Sequence, residues 1–350
     1  MTNIRKFIGK TCIISTAWLA FASAAYAECN NDQIVFDPTD EEEETDEGGD
    51  PTAPLRTGPG GLATDCFQAG RAAGILSLQP NILARRAAQP SGIAVTQGTE
   101  ANPLDGYSGP LWVALSGRTS ELDNGDLDMG SATIGSDIFL GDVNVVGVMF
   151  QSDFAYQDGP IDTSFDGTGY LIGLYGIHFG ADLTVDARIM AGQSSNDVTG
   201  GGDRADDISG TRWMASTQVS SEAEIAGGTT FMPHFALGWF EETMEEYTLA
   251  GSTVTEETVS YGQADVGGTL RYPLTLGGAD GSVTFAVGGI WGFGGASENA
   301  VPSDFRGRVD LGVELFRASS WAVSAKVFED GLGIENYSAQ GLDLGITLWF

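Results

Sequence analysis

Residues 341–350 read GLDLGITLWF and carry an apolar side chain at every second position. Side chains alternate between the two faces of a β-strand. One face of this segment would therefore consist of Leu342, Leu344, Ile346, Leu348 and Phe350, while the other would be small, polar or aromatic. The pattern predicts a strand that lies between an apolar medium and a wetter one.

The first 27 residues have the features of a secretory signal peptide. Arg5, Lys6 and Lys10 precede an apolar run, and Ala25 and Ala27 give the small residues of a cleavage site after Ala27. A membrane anchor is the alternative, but a helix needs about 20 apolar residues to span a bilayer and this run is shorter. The sequence predicts export, with residues 1–27 removed.

The charge balance limits the possible partners. The chain has 48 acidic and 16 basic residues and a net charge of −32. Nucleic-acid binding requires clusters of Lys and Arg, so a nucleic-acid partner is excluded. Residues 28–61 crowd acids with Pro and Gly and predict a disordered acidic linker. A calcium site there lacks the regular spacing of oxygen ligands.

Residues 62–90 are rich in Ala and Leu and predict an interrupted helix. Thr64 or Asp65 can cap its start, and Pro80 should kink or restart it. Small residues on one side would allow close approach to a surrounding wall. We expect its basic side chains to meet inward carboxylates, pairing Arg71, Arg85 and Arg86 with residues such as Asp186, Asp310 and Glu314.

The remaining chain, 108–350, predicts strands only. Segments of about ten residues alternate apolar and polar positions and are separated by turn residues, which is the signature of a membrane β-barrel. Twelve such segments satisfy the even number that a closed antiparallel barrel requires. They span 110–120, 126–141, 143–154, 168–180, 181–192, 209–221, 229–241, 258–273, 281–292, 304–316, 320–329 and 338–350. Long loops are expected near 155–167, 193–208, 242–257, 293–303 and 330–337.

Charged residues occupy the face opposite the apolar one. An Arg that faces lipid at the middle of the membrane costs about 2–4 kcal/mol, so these side chains should line the lumen. A soluble β-sandwich would also alternate, but it would bury the apolar face. The lumen charges are either ion pairs that fill a hydrated interior or an anion-attracting constriction. They are Arg118, Asp186, Arg188, Arg212, Asp265, Arg271, Arg306, Arg308, Asp310, Glu314 and Lys326.

Several stretches, taken in order, resemble the autotransporter β-domain family. They are LWVALSGRTS, VVGVMF, GYLIGLYGIHFG, TRWMASTQVSSEAE, FMPHFALGWFEETMEEY and the terminal LDLGITLWF. The resemblance implies an all-β, twelve-stranded barrel in the outer membrane of a Gram-negative bacterium, with one helix threading its lumen. It also implies a role in bringing an N-terminal passenger to the cell surface. The outer-membrane insertion machinery would read the strand that ends at Phe350.

The sequence departs from this family in one respect. Members usually carry a passenger of hundreds of residues, whereas a short acidic segment precedes the helix here. The segment is then either a vestigial passenger or the cargo itself. A small passive channel is the alternative function. We expect a monomer whose other partner is outer-membrane lipid.

Enzymatic chemistry has little support in the sequence. His178 and His234 lack the His-x-Ser pair of outer-membrane phospholipases, and Asn81 stands alone where self-cleaving relatives carry an Asn pair. We expect no catalytic residues, cofactor or metal. After removal of the signal peptide Cys29 and Cys66 remain, and they could form a disulfide in an oxidising compartment; spacing alone leaves this open.

Overall fold

The computed structural model describes residues 59–79 and 110–349, apart from 123–124, 142, 160–162, 181, 201, 295–304, 318–319 and 335–336. In the helix, it describes side chains from Phe67 onward. The predicted signal peptide, most of the acidic segment, residues 80–109 and Phe350 lie outside the described residues.

One helix precedes fifteen strands in the described part of the chain. The helix α1 spans Pro59–Ser77. The strands are β1 (Leu111–Leu122), β2 (Gly125–Leu140), β3 (Asn144–Asp158), β4 (Ser164–Phe179), β5 (Thr184–Gly200), β6 (Asp203–Ser220), β7 (Ala223–Ala226), β8 (Thr229–Met244), β9 (Tyr247–Leu249), β10 (Ser252–Val254), β11 (Glu257–Leu276), β12 (Ala279–Phe293), β13 (Phe305–Arg317), β14 (Trp321–Leu332) and β15 (Tyr337–Leu348).

Twelve of these strands form a closed antiparallel barrel. The order runs from β1 to β6, continues through β8 and then β11 to β15, and closes because β15 pairs with β1. At this seam Leu111 lies opposite Leu348, and Leu122 lies opposite Tyr337. The short strand β7 pairs with the start of β8, and β9 and β10 form a separate hairpin. The predicted twelve-stranded barrel is confirmed.

The two rims of the barrel differ in their connections. Both ends of the seam, Leu111 and Leu348, lie at one rim, which we call the inner rim. Tight turns close the strands there; Gly277 and Gly278 adopt φ of +59° and +81°, a region that disfavours side chains. Short turns of bacterial barrels face the periplasm. The longest connections, 245–256 and 294–304, lie at the opposite, outer rim, although two residues also join β1 to β2 and β5 to β6 there. We therefore expect the inner rim to face the periplasm and the outer rim to face the exterior.

Several strands continue further towards the outer rim than predicted. The pairing of β5 with β6 extends to Gly200 opposite Asp203, through much of the stretch 193–208 that we expected to be a loop. Likewise, β3 and β4 pair as far as Asp158 opposite Ser164. Beyond the membrane the outward face of a strand meets water instead of lipid, so its residues need not be apolar and the apolar alternation disappears. The backbone hydrogen bonds remain and keep the sheet intact.

Strand β3 shows how the sequence pattern maps onto the wall. Buried and exposed positions alternate over its whole length. Val148, Phe150 and Phe154 are exposed on the outer face, whereas Gln151 and Asp153 are buried on the lumen side. The apolar side chains thus form a lipid-facing band, and the polar ones face inward.

Helix α1 lies inside this barrel. The described side chains from Phe67 to Leu76 are all buried, and the helix contacts strands β2, β8 and β11 on different sides of the lumen. We expected a helix over 62–90 that Pro80 interrupts; α1 begins at Pro59 and ends at Ser77, three residues before Pro80, and residues 80–90 lie outside the described part of the chain. Proline disfavours helical conformation in the residue before it, which accounts for an early end. No helix among the described residues is both long and apolar enough to cross a membrane.

Candidate functional site

The outer half of the lumen holds the helix in an apolar collar. The ring of Phe67 stacks on Phe165 with 5.0 Å between the ring centroids. Phe165 is the second residue of β4, so the N-terminal part of α1 lies near the outer rim. Further apolar side chains in the same buried core come from the outer ends of the neighbouring strands, and they are Val198, Ala205, Ile208, Met244, Leu249 and Val259.

One turn further along, Arg71 connects the helix to three strands. Its Nη2 atom lies 3.0 Å from Asp153 Oδ1 on β3, and its Nη1 atom donates to Asn196 Oδ1 on β5 at 2.6 Å. Glu242 Oε1 on β8 lies 3.6 Å from Nη1. The side chains of the arginine and both acids are at most 1% exposed. Arg71 thus ties the helix to one side of the wall, across the five neighbouring strands from β3 to β8.

A second arginine balances the negative charge of this cluster. Arg212 on β6 donates from Nη1 and Nη2 to the two oxygens of Asp153, at 3.0 and 2.5 Å. Ser194 donates to Glu242 and Asn196 donates to Ser194. We call the set Arg71, Asp153, Asn196, Arg212 and Glu242 the helix lock. It contains two positive and two negative charges, so its burial leaves no net charge uncompensated.

The C-terminal end of the helix meets the opposite wall at mid-barrel. Arg118 on β1 donates to Ser77 Oγ at 2.6 Å. Beyond the helix, Gln79 lies 3.4 Å from Gln151 and accepts from Arg188 at 3.3 Å. The helix therefore runs from the outer rim inward, and its last residues end in the middle of the lumen.

Small residues let the helix fit. Ala69, Ala72 and Ala73 are at most 1% exposed. A Cβ atom on Gly74 would lie 2.0 Å from the sulfur of Met129 on β2. Larger side chains on this face would force the helix away from the wall, which explains the Ala and Gly content of the segment.

Below the helix, the lumen widens into a polar cavity of about 310 Å³. Ion pairs line it: Arg188 with Asp186 at 2.9 Å, Arg271 with Glu314 at 3.6 Å and Arg308 with Asp310 at 3.0 Å. Lys326 bridges Asp310 and Asp343 at 3.4 and 2.9 Å. Among the described residues, the charged side chains that line the cavity are of both signs and are paired with one another.

The structure places the charged residues expected in the lumen as follows. Six are buried: Arg118, Asp186, Arg188, Arg212, Arg306 and Arg308. The other five are half-buried: Asp265, Arg271, Asp310, Glu314 and Lys326. Their partners differ in part from our expectation, because Arg71 meets Asp153 and Glu242 rather than Asp186, Asp310 or Glu314. Arg85 and Arg86 lie outside the described residues.

Sequence reasoning missed the acidic half of the helix lock. Asp153 was near the predicted end of the third strand, and Glu242 fell in a predicted loop. A signal for Asp153 was present, because Gln151, Asp153 and Gln157 alternate with aromatic residues and so share the lumen face. Glu242 follows the same alternation beyond Phe240 on β8.

The remaining candidate residues lie on the wall or outside the described part. Leu342, Leu344 and Ile346 are exposed on the outer face of β15, and Leu348 is half-buried. His178 is exposed beside Asn144, and His234 lies 3.2 Å from Asp265 in the lumen. Cys29, the side chain of Cys66 and Phe350 are outside the description. Among the described residues no cluster of His, Cys, Asp or Glu could hold a metal ion.

Comparison with known proteins points to one family. The family model described as autotransporter beta-domain matches residues 111–326. The translocator domain of the autotransporter NalP from Neisseria meningitidis aligns with a TM-score of 0.60 at 14% identity, covering 82% of this chain and 99% of that one. The transport unit of AIDA-I from Escherichia coli aligns with a TM-score of 0.58 at 16% identity, covering 73% and 94%. The β-domain of the Bordetella autotransporter BrkA aligns at 0.55 and 16% identity, covering 69% and 99%. No curated protein sequence matches the chain.

Proposed function

Because the chain belongs to the autotransporter β-domain family of the Gram-negative outer membrane, we propose that its barrel anchors and presents the segment before α1 at the cell surface. That segment includes the acidic residues 28–61. The observation that carries the proposal is the polarity of the helix. Phe67 lies near the outer rim and Ser77 lies at mid-barrel, so the chain that precedes the helix leads outward.

The helix lock supports an anchoring role. A buried ion pair whose partner is removed costs about 3–5 kcal/mol, because the remaining charge stays buried. Pulling the helix outward would separate Arg71 from both Asp153 and Glu242, each of which is almost fully buried. The lock therefore resists loss of the displayed segment.

The rival function is a small passive channel. The polar cavity below the helix would suit ions, but the collar around Phe67 and the lock fill the path above it. The two functions differ in conductance. We expect the full chain in a planar bilayer to show little or no single-channel current, and a variant that lacks residues 59–79 to conduct steadily.

A control variant tests whether the loss of a single helix contact is enough to open the lumen. A variant with the helix retained but Ser77→Ala should stay closed, because it loses only the hydrogen bond from Arg118. Steady conductance by the full chain, equal to that of the deletion, would favour the channel.

We also propose that the insertion machinery recognises the ladder that ends at Phe350, with lipid as the second partner. Deleting Phe350 should leave the protein in the periplasm. The control is Trp349→Phe, which keeps the last residue and the apolar ladder. Normal outer-membrane levels of the deletion variant, measured after fractionation, would contradict this assignment.

A further inference from the structure

A second buried charge cluster lies away from the helix lock, where β13, β14, β15 and β1 approach the outer rim. Arg306 on β13 donates from Nε to Asp330 Oδ1 on β14 at 2.8 Å, and both side chains are fully buried. Tyr337 on β15 donates to Asp330 Oδ2 at 3.3 Å and accepts from Arg118 on β1. Asp330 thus pairs directly with Arg306, and Tyr337 links it to Arg118.

The charges around this cluster do not cancel. Arg118 and Arg306 carry two positive charges against the single negative charge of Asp330. The neighbouring cations Arg308 and Lys326 share Asp310 and Asp343, two charges of each sign. Among the residues that the structure describes, one positive charge is left over, and the side chains of Arg306 and Asp330 are fully buried. The helix lock, by contrast, is balanced.

In the same region, buried hydrogen-bond donors have no acceptor among the described residues. Both Nη1 and Nη2 of Arg306 lack a hydrogen-bond partner among the described residues. The hydroxyl of Tyr261 on β11, a residue that is 2% exposed, also lacks a hydrogen-bond partner among the described residues. Tyr261 lies near the outer end of β11 and Arg306 near the outer end of β13, with the single strand β12 between them. Buried donors of this kind normally have partners, and a buried charge without one is costly.

We propose that Arg306, with Tyr261 as a second donor, forms a buried binding site for one monovalent anion, either a halide or a carboxylate. Arginine and tyrosine both donate, so the ligand must accept hydrogen bonds from each. A single negative charge neutralises the cluster, whereas a divalent anion would reverse the imbalance. Arg118 also donates to Ser77 of the helix, so the site shares a residue with the helix contacts.

The test follows the unfolding temperature of the full chain in detergent micelles. Sodium methanesulfonate, whose anion is bulky, is replaced by sodium chloride or sodium formate at constant ionic strength. A ligand that binds only the folded state raises this temperature. We expect a rise of about 2–4 °C with either small anion, corresponding to about a fivefold excess of bound over free sites.

Three variants make the result specific. Arg306→Gln should abolish the response, and Tyr261→Phe, which removes only the hydroxyl, should reduce it while leaving the barrel folded. Arg204→Gln is the control, because Arg204 lies at the outer end of β6 and its side chain is 59% exposed. This variant should respond to the anions as the parent does. A response that persists in both Arg306→Gln and Tyr261→Phe would overturn the proposal.

If the parent shows no rise in unfolding temperature with either chloride or formate, the site does not exist.

Discussion

At the scale of single residues, Arg71 is the polar contact that fixes α1 in register. It sits among Ala and Gly positions and lies buried between Asp153, Asn196 and Glu242. The lumen face of β3 and β8 places the two acids at the same level. The helix therefore has one strongly preferred depth in the barrel.

Replacing Arg71 with Gln should destabilise the folded protein by about 3–5 kcal/mol, since Glu242 would lose its ion pair with Arg71 and Asp153 would keep only Arg212. Denaturant unfolding in micelles, followed by tryptophan fluorescence, measures the change. The control is Arg204→Gln, which removes an exposed ion pair with Asp197. Exposed pairs contribute little, so this variant should unfold like the parent. Equal midpoints for the two variants would refute the structural role of Arg71.

Glycine allows unusually close strand contacts at Gly192 on β5. A Cβ atom there would lie 1.8 Å from the backbone oxygen of Tyr170. We expect Gly192→Ala to cost about 1–3 kcal/mol, because backbone must shift to relieve the overlap. At Gly176 the added atom would meet only Val145 oxygen at 3.7 Å, so Gly176→Ala should change stability by less than about 0.5 kcal/mol. The same unfolding assay compares them, and an unperturbed Gly192→Ala variant would count against this packing.

At the scale of elements, the apolar alternation predicted all twelve barrel strands but not their outer ends. The pattern exists only where one face meets lipid, as on β3 at Val148 and Phe150. Above that level the residues of β5 from Gln193 to Asp197 are polar on both faces, and the sequence reads as a loop. Hydrogen bonding to β6 nevertheless continues there.

The position of the helix was predictable from its small residues, whereas its partners were not. Alternation tells which residues of a strand face the lumen, and it placed Arg118, Arg188 and Arg212 on the charged face. The depth of the helix depends on how the tilted strands are staggered around the barrel, and a single strand does not carry that information. Arg71 therefore contacts Asp153 and Glu242. These two acids lie at a different depth in the barrel from Asp310 and Glu314.

The position of the lipid-facing band leads to a prediction about strand β4. Leu174 lies on the outer face of β4, 56% exposed, midway between Tyr170 and His178. Leu174→Arg should destabilise the barrel in lipid vesicles by about 2–4 kcal/mol, the cost of a charge near the membrane midplane. Thr168→Arg lies on the same face beyond Tyr170 and should cost only about 0–1 kcal/mol. Comparable costs at both positions would mean that the band is not embedded as described.

At the scale of the whole molecule, the helix and its apolar collar occupy the outer half of the barrel, and a cavity lined by ion pairs occupies the inner half. The collar and the helix lock occupy the outer half, and the ion-paired cavity opens below Gln79. This division suits a barrel that holds a segment passing through its outer mouth. It explains why many lumen charges form pairs and do not build a ring of one sign.

The central claim is that the chain before α1 emerges at the cell surface, and an epitope inserted near Gly48 tests it most directly. The comparison epitope is inserted between Gly277 and Gly278 at the inner rim, in the same parent protein. Antibody should label the Gly48 epitope on intact cells, and it should label the inner-rim epitope only after the outer membrane is permeabilised. A Gly48 epitope that also requires permeabilisation, in cells with normal barrel levels, would place the segment in the periplasm and contradict the account.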